Sequence, residues 1–444
     1  MTTANLASSN PYFFGPPIRS RESFHGRSEE IKLLKQCIAN NCCVAVVGER
    51  RIGKTSLLLH LQSEPLESWP GNVTPLIVFI DAQLSMSGEN DFYARAIRGL
   101  SQRSPIIREL LPRLSQKNEQ DLIYCLEQIA PQRLTLLIDE FEMICGKPVF
   151  SEQFFITLRA ITQGYGLSLV TTTSKPLGEC CTTGNASSVF RNVFQDIRLG
   201  PFSEQETRRF VETTSQHSGV ALTRYLPQIV ELGGHFPAFL QIACSCYYEV
   251  AARQTRLTPQ DHQDIRQQFA YKTGSLFESI WQQYLNDNEK QALLQLISGQ
   301  VVDRSMVSEL ARKGYVVGKR VFSAPFAEML LQEKSANTWT MHLDEQGELW
   351  LNGNKLNPPL TKSQHHLLTY LYENSERVCE KDEIANSVWG SANMDKIDDE
   401  RIAKLVSRLR ERIEPDPDKP RYLLTAHGRG YRLMRQQKEA ERKE

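Results

Sequence analysis

Three stretches of this chain combine residue types that can do chemistry. The first is Gly48-Glu-Arg-Arg-Ile-Gly53-Lys54-Thr55, which fits the pattern G-x-x-x-x-G-K-[ST]. Glycines let backbone N–H groups curl around phosphate oxygens, and a helix opening at the loop adds positive potential. Lys54 is placed to reach the β- and γ-phosphates of a nucleotide, and the Thr55 hydroxyl to ligate Mg2+. The flanks agree, with apolar Val44–Val47 before the loop and a helical Ser56–Gln62 after it. Gly48, Arg51, Ile52, Gly53, Lys54, Thr55 and Ser56 are therefore the expected nucleotide contacts.

The second stretch is Leu134-Thr-Leu-Leu-Ile138 followed by Asp139-Glu140. An acidic pair at the carboxyl end of a buried strand points into the crevice where such sheets bind ligands. Asp139 is expected to hold Mg2+ through water, and Glu140 to orient or deprotonate an attacking water.

The third is basic. At 100° per residue, 399–413 forms a two-faced helix with Ile402, Leu405, Val406, Leu409 and Ile413 on one side. With Arg401 at zero, Lys404, Arg408 and Arg412 fall at about 300°, 340° and 20°, a basic stripe bordered by Glu411. Arg410 lies off that face. Arg421–Thr425 and Ala426–Leu433 then read as a hairpin with a glycine-rich tip. Ten Lys/Arg face four Asp/Glu between Arg401 and Arg435, in a chain of 52 basic and 52 acidic residues overall. The positive charge is thus local, and a helix beside a basic hairpin suits the two grooves of DNA.

The elements that must position these residues follow from periodicity. Cys43–Val47, Leu76–Ile80, Leu134–Ile138, Leu167–Thr171 and Gln195–Leu199 are unalternated apolar runs, as expected of parallel strands buried on both faces. From about 202 to 335 the pattern is helical. After a break near Glu333–Thr338, Trp339–Leu360 reads as short strands with a turn at Asn352-Gly353. The apolar runs are strand-sized, too short for a membrane span, and the N-terminus has no signal pattern. Ten scattered cysteines without metal spacing are expected as incidental thiols in a reducing, cytoplasmic compartment.

With one intervening strand, the loop and the acidic pair resemble the branch of P-loop NTPases that carries a catalytic glutamate. Within it the flanks resemble the STAND class of signalling ATPases. Asn10-Pro-Tyr-Phe-Phe-Gly-Pro-Pro17 and Phe24-His-Gly-Arg27-Ser-Glu-Glu are similar to its opening motif, which packs near adenine, so Arg27 is implied as a nucleotide contact. Gly233-Gly-His-Phe-Pro237 is similar to the helical-lid motif whose proline covers the base, with one residue more than the commonest spacing. Thr171-Thr-Thr173 ends the fourth strand, where relatives carry a γ-phosphate-sensing polar residue. Any of the three threonines fits, and β propensity alone also accounts for them. Trp281–Leu331 resembles the small winged helix that follows the lid. No arginine finger is identifiable, so slow ATP hydrolysis is expected.

Leu360-Thr-Lys-Ser-Gln, Val378-Cys-Glu-Lys-Asp-Glu-Ile-Ala, Val388-Trp-Gly, Ser407-Arg-Leu-Arg410 and Gly428-Arg-Gly-Tyr431 occur in the order seen in OmpR/PhoB-type output domains. That resemblance implies that 399–413 is a recognition helix, with Arg401, Lys404, Arg408 and Arg412 toward DNA. The wing would offer Thr425, His427, Arg429 and Tyr431, the last equally readable as core. An ATPase stands where a receiver domain would be.

The expected architecture is an α/β parallel-sheet P-loop NTPase (1–201) with helical lid (202–265) and winged helix (266–335), then a C-terminal α+β winged-helix domain (336–444). The resemblances imply an ATP/ADP switch that regulates transcription through double-stranded DNA and self-associates in its ATP state. Two rivals stand beside it. One is a signalling or defence ATPase whose terminal winged helix contacts protein, the other a constitutive ATPase acting on DNA structure. The activating signal is not legible.

Overall fold

The computed structural model describes residues 10–12, 14–65, 68–72, 74–84, 87–180, 190–254, 256–337, 341–344, 348–351, 354–390, 399–414, 416–418, 420 and 422–434. They form two compact units that divide after Leu330.

The first unit is organised by five parallel strands: β1 (Cys43–Gly48), β2 (Leu76–Asp81), β3 (Leu134–Asp139), β4 (Leu167–Thr173) and β5 (Phe194–Leu199). Their order is β2-β3-β4-β1-β5. Because every pairing is parallel, all five carboxyl ends lie on one edge, where the loop after β1 and the acids after β3 meet. Strand β4 lies between β1 and β3, a placement that decides the chemistry below.

The sheet is covered on both faces. Val44 and Val46 of β1 belong to one core with Leu57, Leu58 and Leu61 of the helix Lys54–Gln62. Cys43, Ala45 and Val47 belong to the other, with Phe92, Ile97 and Leu158. Strands β1, β3 and β4 are buried along nearly their whole length, as their unalternated sequences require. Strand β5 departs from that expectation. It is an edge strand, with Gln195, Asp196 and Arg198 exposed and Ile197 and Leu199 buried. Its Asp-Ile-Arg-Leu alternation fits a single covered face.

Helices Glu204–Ser218, Leu226–Gly233 and Pro237–Ala251 follow. Gly233 and Gly234 bring the last two close, since a Cβ on Gly233 would stand 2.7 Å from the Phe239 carbonyl oxygen. The helix Pro259–Ser279 starts with a capping box from Thr258 and Asp261 and continues through residue 265 without a break. Helices Asp287–Ile297 and Arg304–Lys313 then lead to a hairpin of β6 (Val316–Val317) and β7 (Arg320–Val321), and to the helix Ala324–Asn337.

The second unit opens with an antiparallel sheet of β8 (Met341–Leu343), β9 (Leu349–Leu351) and β10 (Asn354–Lys355). The Asn352-Gly353 turn lies outside the described residues. Helices Lys362–Glu373, Lys381–Trp389 and Asp399–Ile413 surround a core that includes Leu367, Leu371, Ile384, Val406, Leu409 and Leu433. Strands β11 (Cys379–Glu380), β12 (Leu423–Ala426) and β13 (Gly430–Leu433) form the closing sheet, in the order β11-β13-β12. Tyr431 is buried in this core, which settles its two readings.

Two further facts concern the chain as a whole. Among the described residues no helix is long and apolar enough to cross a membrane. Cys145 is disulfide-bonded, against the expectation of incidental thiols. Pairing depends on which loops the fold brings together, which spacing alone does not carry.

The β11–β13 contact is tight at one point. A Cβ on Gly430 would stand 2.0 Å from the Cys379 carbonyl oxygen. Gly430→Val is expected to destabilise the second unit by about 1–3 kcal/mol through overpacking. Faster amide hydrogen exchange over 423–433 measures it, with exchange in the first unit unchanged.

Candidate functional site

A cleft of about 460 Å3 runs beside the loop after β1. Arg51, Ile52, Gly53, Lys54, Thr55 and Ser56 form one wall, with Arg27, Glu140 and Pro237 also lining it. Gly48 sits outside this cleft, in a neighbouring cavity that Glu49 also lines. A Cβ on Gly48 would stand 2.7 Å from the Leu199 carbonyl oxygen, so its glycine is required by the close approach of β5.

Lys54 is buried at 6% exposure, and its Nζ donates to the carbonyl oxygens of Gly48 (2.8 Å) and Glu49 (3.2 Å). Burial lowers its pKa, opposed by the carboxylates of Glu140, Glu142, Asp139 and Glu49. The loop thus holds its own ammonium, aimed among acids, at the place where phosphate charge would be received.

Thr55, Asp139 and Thr172 form one hydrogen-bonded chain. The Thr55 hydroxyl donates to Asp139 Oδ2 at 2.7 Å, and the Thr172 hydroxyl donates to Asp139 Oδ1 at 2.5 Å. Thr172 Oγ1 in turn accepts the Glu140 N–H at 2.9 Å. This is possible because β4 separates β1 from β3, so its middle threonine reaches both. Thr171 and Thr173 point to the other face, where their hydroxyls are buried without a hydrogen-bond partner.

Glu140 lies in the left-handed region at φ 54°, which turns its side chain into the cleft. Burial raises its pKa, helped by Glu142 and opposed by Lys54. A carboxylate with a raised pKa is the better proton acceptor.

The remaining expected contacts serve the frame. Arg27 is 3% exposed, with its guanidinium donating to the carbonyl oxygens of Ile52 (3.1 Å) and Gly200 (2.6 Å) and pairing with Glu30 (3.2 Å). It fastens the loop to the end of β5. The Ser56 hydroxyl accepts the Ile18 N–H at 3.0 Å, tying the opening segment to the helix. Pro237 is the first residue of its helix and borders the cleft with Ala238 and Gln241.

One group was missed by sequence reasoning. The Tyr315 hydroxyl donates to Glu49 Oε2 at 2.8 Å, and the Lys313 ammonium lies 3.9 Å from a Glu49 carboxylate oxygen. These residues link the loop after β1 to the segment 304–321. Tyr315 and Glu49 are 266 positions apart, so no local pattern could announce the contact.

The donor set fits Mg2+. A hydroxyl and a carboxylate at hydrogen-bond distance are hard-oxygen ligands, and Mg2+ beside phosphates keeps waters and needs few protein donors. Consistently, no protein-only cage of three or more His, Cys, Asp or Glu occurs among the described residues.

In the second unit, Arg401, Lys404 and Arg408 of the helix Asp399–Ile413 are exposed, while Ile402, Leu405, Val406, Leu409 and Ile413 are buried. Arg401 lies over the Trp389 ring at 5.3 Å, and Lys404 pairs with Glu400 at 2.7 Å. Arg412 is drawn away from the stripe, its guanidinium donating to the Pro358 carbonyl. Arg410 donates to the Leu423 carbonyl (3.0 and 2.7 Å) and to the Thr425 hydroxyl (2.8 Å), which engages Thr425. His427 and Arg429 are exposed at the hairpin tip. Ala403 and Ser407 share the exposed face, but without charge they gave no signal.

The family described as Novel STAND NTPase 2 matches residues 39–300, more than half of the 444-residue chain. The chain belongs to this family. Residues 355–433 match a second description, the C-terminal domain of transcriptional regulatory proteins. This STAND NTPase is therefore fused to a response-regulator-type DNA-binding domain. Its C-terminal part is 40% identical over 75 residues to the transcriptional regulatory protein YcbL of Bacillus subtilis, 17% of this chain and 32% of that one. It is 38% identical over 84 residues to the sensory transduction protein RegX3 of Mycobacterium tuberculosis, 19% and 35% of the two chains. The match spans about a third of the length of these relatives. Among solved structures, a Walker-type ATPase of Pyrococcus abyssi aligns at 16% identity and TM-score 0.48, covering 76% of this chain and 96% of its own. The Aeropyrum pernix ORC2 protein aligns at 15% and 0.45, covering 73% and 97%.

The threonine triplet yields a direct test. Thr172→Val leaves Asp139 Oδ1 and the Glu140 N–H without their partner and is expected to cost about 1–3 kcal/mol. Thr171→Val and Thr173→Val remove unsatisfied hydroxyls and are expected to be neutral or stabilising. Urea denaturation of the three variants measures the difference.

Proposed function

We propose that this protein is an ATP-binding switch that regulates transcription, its nucleotide state controlling DNA binding by the C-terminal winged helix. The observation that carries the reading is the Thr55–Asp139–Thr172 chain beside Lys54, in a family of NTPases, on the same polypeptide as a DNA-binding domain.

Lys54 and the backbone of 48–56 would hold the phosphates, with the base toward Pro237 and the opening segment. Thr55 and Asp139 would hold Mg2+, which draws phosphate charge and shields it when bound. Glu140 would orient the attacking water, and its raised pKa suits it to accept a proton. Thr172 keeps Asp139 and the Glu140 backbone in register, so it is the threonine best placed to respond to the γ-phosphate. The residues 1–201, 202–265 and 266–335 would act as NTPase core, lid and internal winged helix.

A switch needs a difference in affinity between its two states. Moving the population from one in a hundred to ninety-nine in a hundred takes about 5.5 kcal/mol of differential nucleotide binding. ADP would favour the resting form, and ATP the form that self-associates and presents winged helices to repeated half-sites.

The DNA-facing charges would be Arg401, Lys404, Arg408, His427 and Arg429. Arg412 and Thr425, engaged by Pro358 and Arg410, would instead hold the helix and wing in place.

Two measurements test this. Capture of genomic fragments by protein loaded with ADP or with a non-hydrolysable ATP analogue should enrich discrete fragments differently in the two states. Equal enrichment removes nucleotide control, and none in either state favours a protein-contact role for the winged helix. On a captured fragment, replacing Lys404 and Arg408 by alanine should reduce the slope of log affinity against log salt by about 2, at roughly 0.9 per phosphate contact. Arg412→Ala should leave that slope unchanged.

A further inference from the structure

Gln241 is the polar exception on the lid helix Pro237–Ala251. Its neighbours Phe239, Leu240, Ile242, Ala243 and Cys244 are apolar and buried. Gln241 is itself only 9% exposed, and its Oε1 has no hydrogen-bond partner. It nevertheless lines the cleft, one helical turn beyond Pro237 and on the same face. Buried amide oxygens in folded proteins are almost always paired, so an orphan on a residue that lines a cleft points to a missing donor.

The surroundings describe that donor. The cleft that Gln241 lines also includes Phe14, Pro16, Pro17, Phe24, Phe202 and Phe210, which suit a flat, largely apolar ring. Burial lowers the pKa of His25 in the same cleft, which favours its neutral form. Lys54, suited to phosphate, lines the same cleft. A side-chain amide offers one acceptor and one donor side by side, which pairs with the N6 amino group and N7 of adenine. Guanine presents two acceptors, O6 and N7, at that edge.

We propose that Gln241 reads the base of the bound nucleotide. Oε1 accepts a hydrogen bond from the adenine N6 amino group and Nε2 donates to N7, making the site selective for adenine over guanine nucleotides. This rests on the reading of the cleft as a nucleotide site. Pro237 covers the ring by contact, whereas Gln241 supplies the directional bonds that contact cannot.

The test measures binding of ATP, GTP and inorganic tripolyphosphate to the full-length chain by calorimetry. Gln241→Leu keeps the volume and helix propensity while removing the orphan oxygen, so the fold is retained or strengthened. Wild type should prefer ATP to GTP by about tenfold or more, and the variant should lose about tenfold in ATP affinity, the size of one good hydrogen-bonding interaction. Tripolyphosphate should bind both proteins alike, and the ATP-to-GTP ratio of the variant should fall toward one. Unchanged ATP affinity in the variant overturns the assignment, as does a preference of wild type for GTP. Equal loss of ATP and tripolyphosphate also overturns it, because Gln241 would then be structural. If wild type binds none of the three ligands, the nucleotide reading itself fails, an outcome distinct from the others.

Discussion

A buried ammonium is the constraint on which the first unit depends. Lys54 is removed from water, and such a charge persists only where acceptors and opposite charges replace the lost solvent. The two loop carbonyls supply acceptors, and Glu140, Glu142, Asp139 and Glu49 supply the charges. Burial and then Glu142 raise the pKa of Glu140, and Lys54 opposes that rise. The strand order follows from the same demand. Loop and acids meet at one edge, where Thr55 bonds Asp139 directly and Thr172 of the strand between holds Asp139 and the Glu140 N–H.

The frame around the lysine is built from charge-assisted bonds to backbone. Arg27 holds the Ile52 and Gly200 carbonyls, while Glu206 accepts the Arg27 N–H at 2.7 Å. Bonds to an ionised partner are stronger than neutral ones, and here they fix loop carbonyls whose N–H groups must face a ligand. At the far side Tyr315 holds Glu49, and burial foremost raises the pKa of both groups. Any shift of the loop at Glu49 must carry Tyr315 along or break this bond. The segment after the lid therefore shares a mechanical link with the phosphate site.

Much of this was legible from periodicity, and the failures have physical causes. Strand ends were read to within a residue or two because parallel strands buried on both faces leave long apolar runs. Strand β5 was located, but its expected burial on both faces failed because an edge strand is covered on one face only. Thr172 could not be chosen over Thr171 and Thr173 because propensity treats them alike, and only the β3–β4 register, with Ile138 opposite Thr171, tells which one meets Asp139. Arg412 was misplaced because a helical wheel gives an angle and says nothing of reach. A long guanidinium can turn from its own stripe to a carbonyl such as that of Pro358. Gln241 carried no signal, since an isolated glutamine in an apolar helix usually reads as an ordinary surface position.

The second unit shows how little of a charge stripe need remain as free charge. Of four aligned cations, Lys404 faces Glu400, Arg401 lies on Trp389, and Arg412 belongs to the scaffold. Pairing an exposed lysine with an exposed glutamate is weakly held and is readily exchanged for a phosphate, so it lowers affinity only modestly.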